Sequence, residues 1–128
     1  AEAYDGPSLI VAYSHCIAHG YNLAMGLEQQ KAAVNSGHWP LYRYNPDLSK
    51  TGKNPFQLDC KAPSLELEKY IYNETRYKML SLSQPELARQ FLGEAQNDVA
   101  VRWQLYNYLA NMPCGMSAGE AAKADASE

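Results

Sequence analysis

The chain has 128 residues, with 11 Lys and Arg against 14 Asp and Glu, a formal charge of −3. This length allows at most one domain, with a core drawn from roughly two thirds of the unfolded surface. No basic run stands out to follow phosphates, which argues against a nucleic-acid partner, and no apolar run approaches the ~18 residues of a membrane-spanning helix.

Residues 1–5 read as the last turn of a helix closed by Gly6-Pro7. Leu9 to Tyr13 is a short apolar run of β-formers, the pattern of a strand buried on both faces in a parallel sheet. One such strand has no neighbours of its own, so the chain is expected to be a C-terminal piece of a larger protein. The run ends in Ser14, His15, Cys16 and His19, before Gly20. In open α/β sheets, chemistry lies just beyond the carboxyl ends of strands.

Tyr21 to about Asn35 suits a helix with Leu23, Leu27, Ala33 and Val34 near one face, capped at Asn35-Ser36-Gly37. Trp39 to Tyr44 suits a short strand that Pro40 delays or confines to an edge. Asn45 to Pro63 is a long loop in which Phe56-Gln57-Leu58-Asp59 can add a strand. Ser64 can cap a helix from about Glu66 to Leu80, with Leu67, Tyr70, Tyr77 and Leu80 on one face. Ser83-Gln84-Pro85-Glu86 has the form of a capping box. Leu87, Phe91, Ala95, Val99, Trp103, Tyr106 and Ala110 then mark a helix to about Met112, with Asp98 and Arg102 placed to pair. The tail from Pro113 to Glu128 is small and polar and is expected to be disordered.

Cys16 with His15 and His19 is the chemical constellation. It admits a metal site, a cysteine nucleophile activated by histidine, or a half-buried thiol beside two histidines bonded to the backbone. A single cysteine cannot hold an iron–sulfur cluster, which takes four ligands, so such a reading requires partners outside the chain. Cys60 and Cys114 read as incidental thiols. With Cys16 they form an odd set without framework spacing, which favours a reduced, cytoplasmic setting. Lys50 and Lys53 flank Gly52 without the sequence of a phosphate loop.

The words are more specific than the spacing. Gly6-Pro7-Ser8-Leu9-Ile10-Val11-Ala12-Tyr13-Ser14-His15-Cys16-Ile17-Ala18-His19-Gly20 resembles the C-terminal region of pyruvate:ferredoxin (flavodoxin) oxidoreductase. So do Ser36 to Pro46, Gly52 to Asp59 and Tyr72-Asn73-Glu74-Thr75-Arg76-Tyr77, in that order. The resemblance covers about residues 3–110; Cys60 departs from it, standing where the family usually has serine. It implies a parent enzyme that converts pyruvate and coenzyme A to acetyl-CoA and CO₂, passing electrons singly to ferredoxin or flavodoxin. That parent would be a cytoplasmic homodimer carrying thiamine diphosphate with Mg²⁺ and three 4Fe–4S clusters.

The resemblance also implies an α/β fold: the C-terminal β-α-β portion of a doubly wound thiamine-diphosphate-binding domain over residues 1–63, with its long loop, then a helical extension over 64–112 and the tail 113–128. Cys16 maps to the distant fourth ligand of the 4Fe–4S cluster nearest thiamine. His15 and His19 are assigned supporting roles beside it. The residues that bind thiamine diphosphate and Mg²⁺ lie outside the chain, and the piece alone is expected to be inactive. The alternatives are a related 2-oxoacid or sulfite-type oxidoreductase, a small Cys–His hydrolase, and a non-catalytic interaction module presenting the helix 83–112.

Overall fold

The computed structural model describes residues 1–114. Among them are four α-helices and one two-stranded sheet: α1 (Gly26–Asn35), β1 (Tyr42–Tyr44), β2 (Phe56–Leu58), α2 (Leu67–Ile71), α3 (Thr75–Ser83) and α4 (Pro85–Asn111). The mixture is compatible with an α/β assignment. Most of the predicted tail lies outside the described residues.

The first departure from the sequence reading is at the start. Residues 1–5 make a single turn, with the Tyr4 N–H bonded to the Ala1 carbonyl at 3.1 Å, and not the end of a helix. Leu9 to Tyr13 is not a strand here: Leu9, Ile10 and Val11 are 88%, 77% and 67% exposed. The reason is the absence of a neighbour, since a strand forms only where another can satisfy its backbone groups. The sheet among the described residues is instead the antiparallel hairpin of β1 and β2, pairing Tyr42 with Leu58, Arg43 with Gln57 and Tyr44 with Phe56.

The sequence places the hairpin well. Pro40 keeps the first strand from beginning before Tyr42. Between the strands, Asn45 caps a 3₁₀ turn over Pro46–Thr51, and Gly52 leaves it at φ 72°. Tyr42 and Phe56 stack at 5.1 Å and both rings meet Tyr106 of α4. Asn54 donates its amide to the carbonyls of Leu109 and Ala110 at 2.7 and 3.0 Å, so the loop satisfies acceptors that the end of α4 leaves open. Cys60 does local work, its sulfur accepting from the Leu41 N–H at 3.2 Å.

Helix starts were less legible. The expected helix from Tyr21 begins only at Gly26, after a 3₁₀ turn over Leu23–Met25 that Asn22 caps. The single helix expected over 66–80 is two, broken at Tyr72–Glu74, where Glu74 takes an extended backbone at φ −101°, ψ 129°. Ser64 caps neither; Glu66 precedes α2 without a capping hydrogen bond from its side chain, which pairs instead with Lys69 at 3.0 Å. Ser83 is the last residue of α3 and donates to the Met79 carbonyl at 2.9 Å, so the capping box does not form. Pro85 still opens α4, where its missing N–H costs nothing. No ion pair joins Asp98 to Arg102 among the described residues, and the Arg102 Nε is buried without a hydrogen-bond partner.

The core is small: Ala33, Leu67, Tyr70, Ile71 and Val99, with Trp39, Tyr77, Leu92 and Ala95 against its edge. Tyr70 and Leu67 occupy the apolar face read from their spacing. Gly37 permits this packing. At φ 74° it lies where other residues are strained, and a Cβ there would stand 2.8 Å from Pro63 and 2.9 Å from Val99.

Candidate functional site

Cys16 is exposed and unpaired with another cysteine. It is the N-terminal flank of a 3₁₀ turn over Ile17–His19, and its sulfur accepts from the Ala18 N–H at 3.5 Å. The turn closes at Gly20, whose φ of 70° is costly for any residue with a Cβ. Gly20 also allows close approach: a Cβ there would lie 2.7 Å from the Cβ of Thr75. The Gly20 carbonyl accepts from both the N–H of Thr75, at 2.9 Å, and its hydroxyl.

His15 precedes the turn and His19 is its last residue, and neither touches the thiol by any described hydrogen bond. His15 packs edge-on to Tyr21, with ring centroids 6.5 Å apart. His19 stacks on Tyr13 at 6.3 Å and brings its Nδ1 to 3.9 Å from a carboxylate oxygen of Glu74. The nucleophile–base contact of a Cys–His hydrolase is therefore not among the described interactions. Chemistry assigns the Gln30 amide: with its nitrogen toward the Tyr13 carbonyl (3.2 Å), its oxygen accepts from the His15 N–H (2.8 Å), and Ser14 is bracketed.

Beneath the turn lies a polar network that periodicity does not disclose. Glu74 is 1% exposed. One of its oxygens accepts from Gln29 at 3.0 Å and the other from Arg76 Nε at 2.6 Å. The Arg76 guanidinium also donates to the Tyr13 hydroxyl at 3.0 Å, and that hydroxyl lies 3.0 Å from the hydroxyl of Tyr70. Gln29 donates to the Tyr70 carbonyl as well and accepts from Asn73. Burial works against the Arg76 charge, but the hydrogen bonds to Glu74 and Tyr13 outweigh it and hold its pKa above the ordinary value. Burial, reinforced by the Tyr13 hydrogen bond, raises the pKa of Tyr70. The sequence signal for this cluster was the polar run Asn73-Glu74-Thr75-Arg76, set between two helical faces.

His38 packs on Tyr70 at 4.8 Å and on Tyr13 at 5.9 Å. Burial, then the nearby Arg102 and Arg76, lower its pKa below the ordinary 6.5, with Glu74 opposing. A histidine kept neutral by folding stabilises fully above its unfolded value and progressively less below it. Stability should therefore fall as pH drops below 6.5, down to the folded-state value. Urea midpoints at pH 8 and pH 5 check this: His38→Asn should show a smaller loss between them than the unsubstituted protein.

Two observations bear on whether a metal group fits. Among the described residues no three His, Cys, Asp or Glu side chains are grouped to hold a metal ion. Around the Cys16 turn, however, the His19 Nδ1 and the Tyr21 hydroxyl are buried without hydrogen-bond partners. An exposed thiol, with two buried polar atoms nearby in sequence whose hydrogen-bonding capacity is unmet, suits a single ligand of a centre completed by other residues. A cleft of about 430 Å³ lined by Ile71, Leu80, Phe91 and Val99 does not include Cys16. Among the described residues no helix is long and apolar enough to cross a membrane.

These features define a helix-rich unit, compatible with an α/β fold, whose buried polar residues converge on a cysteine-bearing turn. No protein-family model matches the chain. It is 62% identical over 110 residues to the pyruvate-flavodoxin oxidoreductase of Trichormus variabilis, covering 86% of this chain and 9% of that one. It is 47% identical over 110 residues to the pyruvate:ferredoxin oxidoreductase of Moorella thermoacetica, again 86% of this chain and 9% of the relative. The mitochondrial pyruvate dehydrogenase [NADP(+)] of Euglena gracilis is 39% identical over 88% of this chain and 6% of its own length. The chain is thus homologous to a segment of the pyruvate-flavodoxin and pyruvate:ferredoxin oxidoreductases, and it spans less than a tenth of the length of each of these three relatives.

Proposed function

We propose that this chain is the end of the thiamine-diphosphate-binding domain, with its helical extension, of a pyruvate:ferredoxin or pyruvate:flavodoxin oxidoreductase. In this reading residues 1–63 complete the α/β domain and residues 64–112 form the extension. The exposed run Leu9–Tyr13 becomes a strand of the doubly wound sheet when the rest of the parent chain supplies its neighbours. Thiamine diphosphate and Mg²⁺ are held by residues outside this segment, as are pyruvate and coenzyme A. The Euglena relative's name carries a different electron acceptor, which supports placing the choice of acceptor outside this segment.

Cys16 supplies one thiolate to a 4Fe–4S cluster whose other ligands come from elsewhere in the parent. A cluster held there would relay electrons one at a time from the thiamine-bound substrate towards the carrier. The observation that carries this reading is the exposed Cys16 thiol, free of any disulfide and accepting a backbone N–H from the turn it begins. Such N–H···S bonds stabilise negative charge on sulfur and help set a cluster's potential. His15 and His19 hold the turn through their rings, and their N–H groups can bias the potential from close by.

Cys16→Ser in the full-length protein tests the assignment. A hard alkoxide replaces a soft thiolate. Reduction of ferredoxin or flavodoxin should fall by at least the roughly 10–100-fold typical of losing a hydrogen-bonding partner of a metal ligand, while decarboxylation of pyruvate persists. Unchanged cluster spectra with full carrier reduction would remove Cys16 from the ligand set.

A further inference from the structure

Glu74 and Thr75 together reach both ends of the segment that carries Cys16. At the near end, Arg76 joins the Glu74 carboxylate to the Tyr13 hydroxyl, at 2.6 and 3.0 Å. At the far end, Thr75 holds the Gly20 carbonyl by two hydrogen bonds. Between them the His19 ring lies 3.9 Å from Glu74. From the other side, Gln29 of α1 donates to the same carboxylate at 3.0 Å. By contrast, the one described hydrogen bond of the Cys16 sulfur is to Ala18, within its own turn.

We infer that Glu74 is a positioning residue, whose buried carboxylate clasps Tyr13–Gly20 against α1 and α3 and so fixes where the Cys16 thiol points. The inference rests on the reading of Cys16 as a cluster ligand. A carboxylate removed from water is unfavourable unless paired and hydrogen-bonded, and here the extended backbone at Glu74 interrupts what would otherwise be one helix. What that arrangement secures is placement. Metal ligands must be held to within ~0.5 Å by groups behind them, and an exposed thiol on a short turn has no such precision by itself. Thr75 serves the same end, since Gly20, at φ 70°, lets the turn settle directly onto the threonine side chain.

The test uses the full-length, cluster-loaded protein with Glu74→Gln, Thr75→Val and Thr75→Ser. Two quantities are read: amide exchange at His19, Gly20 and Thr75, whose N–H groups are bonded in the turn or to it, and the EPR spectrum of the cluster assigned to Cys16. Glu74→Gln and Thr75→Val should each speed exchange at these three amides about tenfold, leave exchange in α4 unchanged, and alter the EPR line shape. Thr75→Ser keeps the hydroxyl and should restore both. Thr75 is exposed, so its pair of variants tests the Gly20 end of the clasp even if Glu74→Gln fails to fold, and Arg76→Lys, which keeps the charge but not the fork that reaches Tyr13, then tests the Glu74 end by the same exchange and spectrum.

Unchanged exchange in folded variants overturns the clasp, as does Thr75→Ser behaving like Thr75→Val. Faster exchange with an unaltered spectrum overturns the positioning of the thiol, provided Cys16→Ser does alter that spectrum. If Cys16→Ser leaves the spectrum intact, the ligand reading falls by itself and exchange alone decides the clasp.

Discussion

Arg76→Ala is expected to destabilise the fold by about 3 kcal/mol, within the range for breaking a buried ion pair. The Glu74 carboxylate, 1% exposed, would keep the Gln29 amide but lose its cation. The Tyr13 hydroxyl would lose its charged donor in the same step. The Arg76 side chain is itself 34% exposed, so water can partly replace it, which places the cost at the lower end of that range. Arg76→Lys should recover only part. An ammonium can neutralise the carboxylate, but it lacks the planar fork that serves Glu74 and Tyr13 at once. Exchange of the slowest amides in the full-length protein, or its unfolding midpoint in urea, measures both substitutions. Equal stability of Arg76→Ala and the unsubstituted protein would mean that the network is solvated and contributes nothing.

The second large effect concerns the chain by itself. Leu9, Ile10 and Val11 stand exposed on an unpaired extended segment, and Phe91, Val101, Leu105 and Tyr108 are exposed along α4. Burying an aliphatic side chain is worth roughly 1.5–3 kcal/mol, so the three N-terminal residues alone provide a strong incentive to find cover. An unpaired apolar strand also offers its backbone groups to any other strand. The isolated 128 residues should therefore be mainly helical by circular dichroism, yet self-associate at micromolar concentration. Leu9→Asp with Val11→Asp should reduce that association substantially in analytical ultracentrifugation. A monomeric, sharply melting unsubstituted 128-residue chain would show that the segment needs no sheet around it.

What could be read in the sequence divides by range. The β2 strand, the end of α4 and the glycine that closes the Cys16 turn follow from local chemistry: β-formers, a Pro-Cys-Gly stop, and a backbone conformation suited to glycine. Local signals failed where a partner distant in sequence decides the outcome. Ser83 had every mark of a helix cap, yet its hydroxyl serves the helix before it, because α3 extends to Ser83. Periodicity ran 66–80 together as one helix because Tyr70 and Tyr77 keep phase across the break. Glu74 sits at the break, and its partner Gln29 and its neighbour His19 come from sequence positions far from it.

The cysteine was legible as chemistry and the network beneath it was not. Sulfur and imidazole side chains beside a glycine announce a site, whereas Gln29, Tyr13 and Arg76 are ordinary residues until folding brings them together. The strand reading of Leu9–Tyr13 failed for a third reason. Its composition suits a sheet interior, and no neighbouring strand is present among the described residues to form one.

The most direct measurement is iron anomalous scattering from crystals of the full-length protein, prepared without oxygen. An iron atom of a 4Fe–4S cluster is expected within bonding distance of the Cys16 sulfur, with the cluster's remaining iron atoms bound by cysteines outside residues 1–128. A protein whose clusters are each fully ligated by other residues, with the Cys16 thiol free, would contradict it.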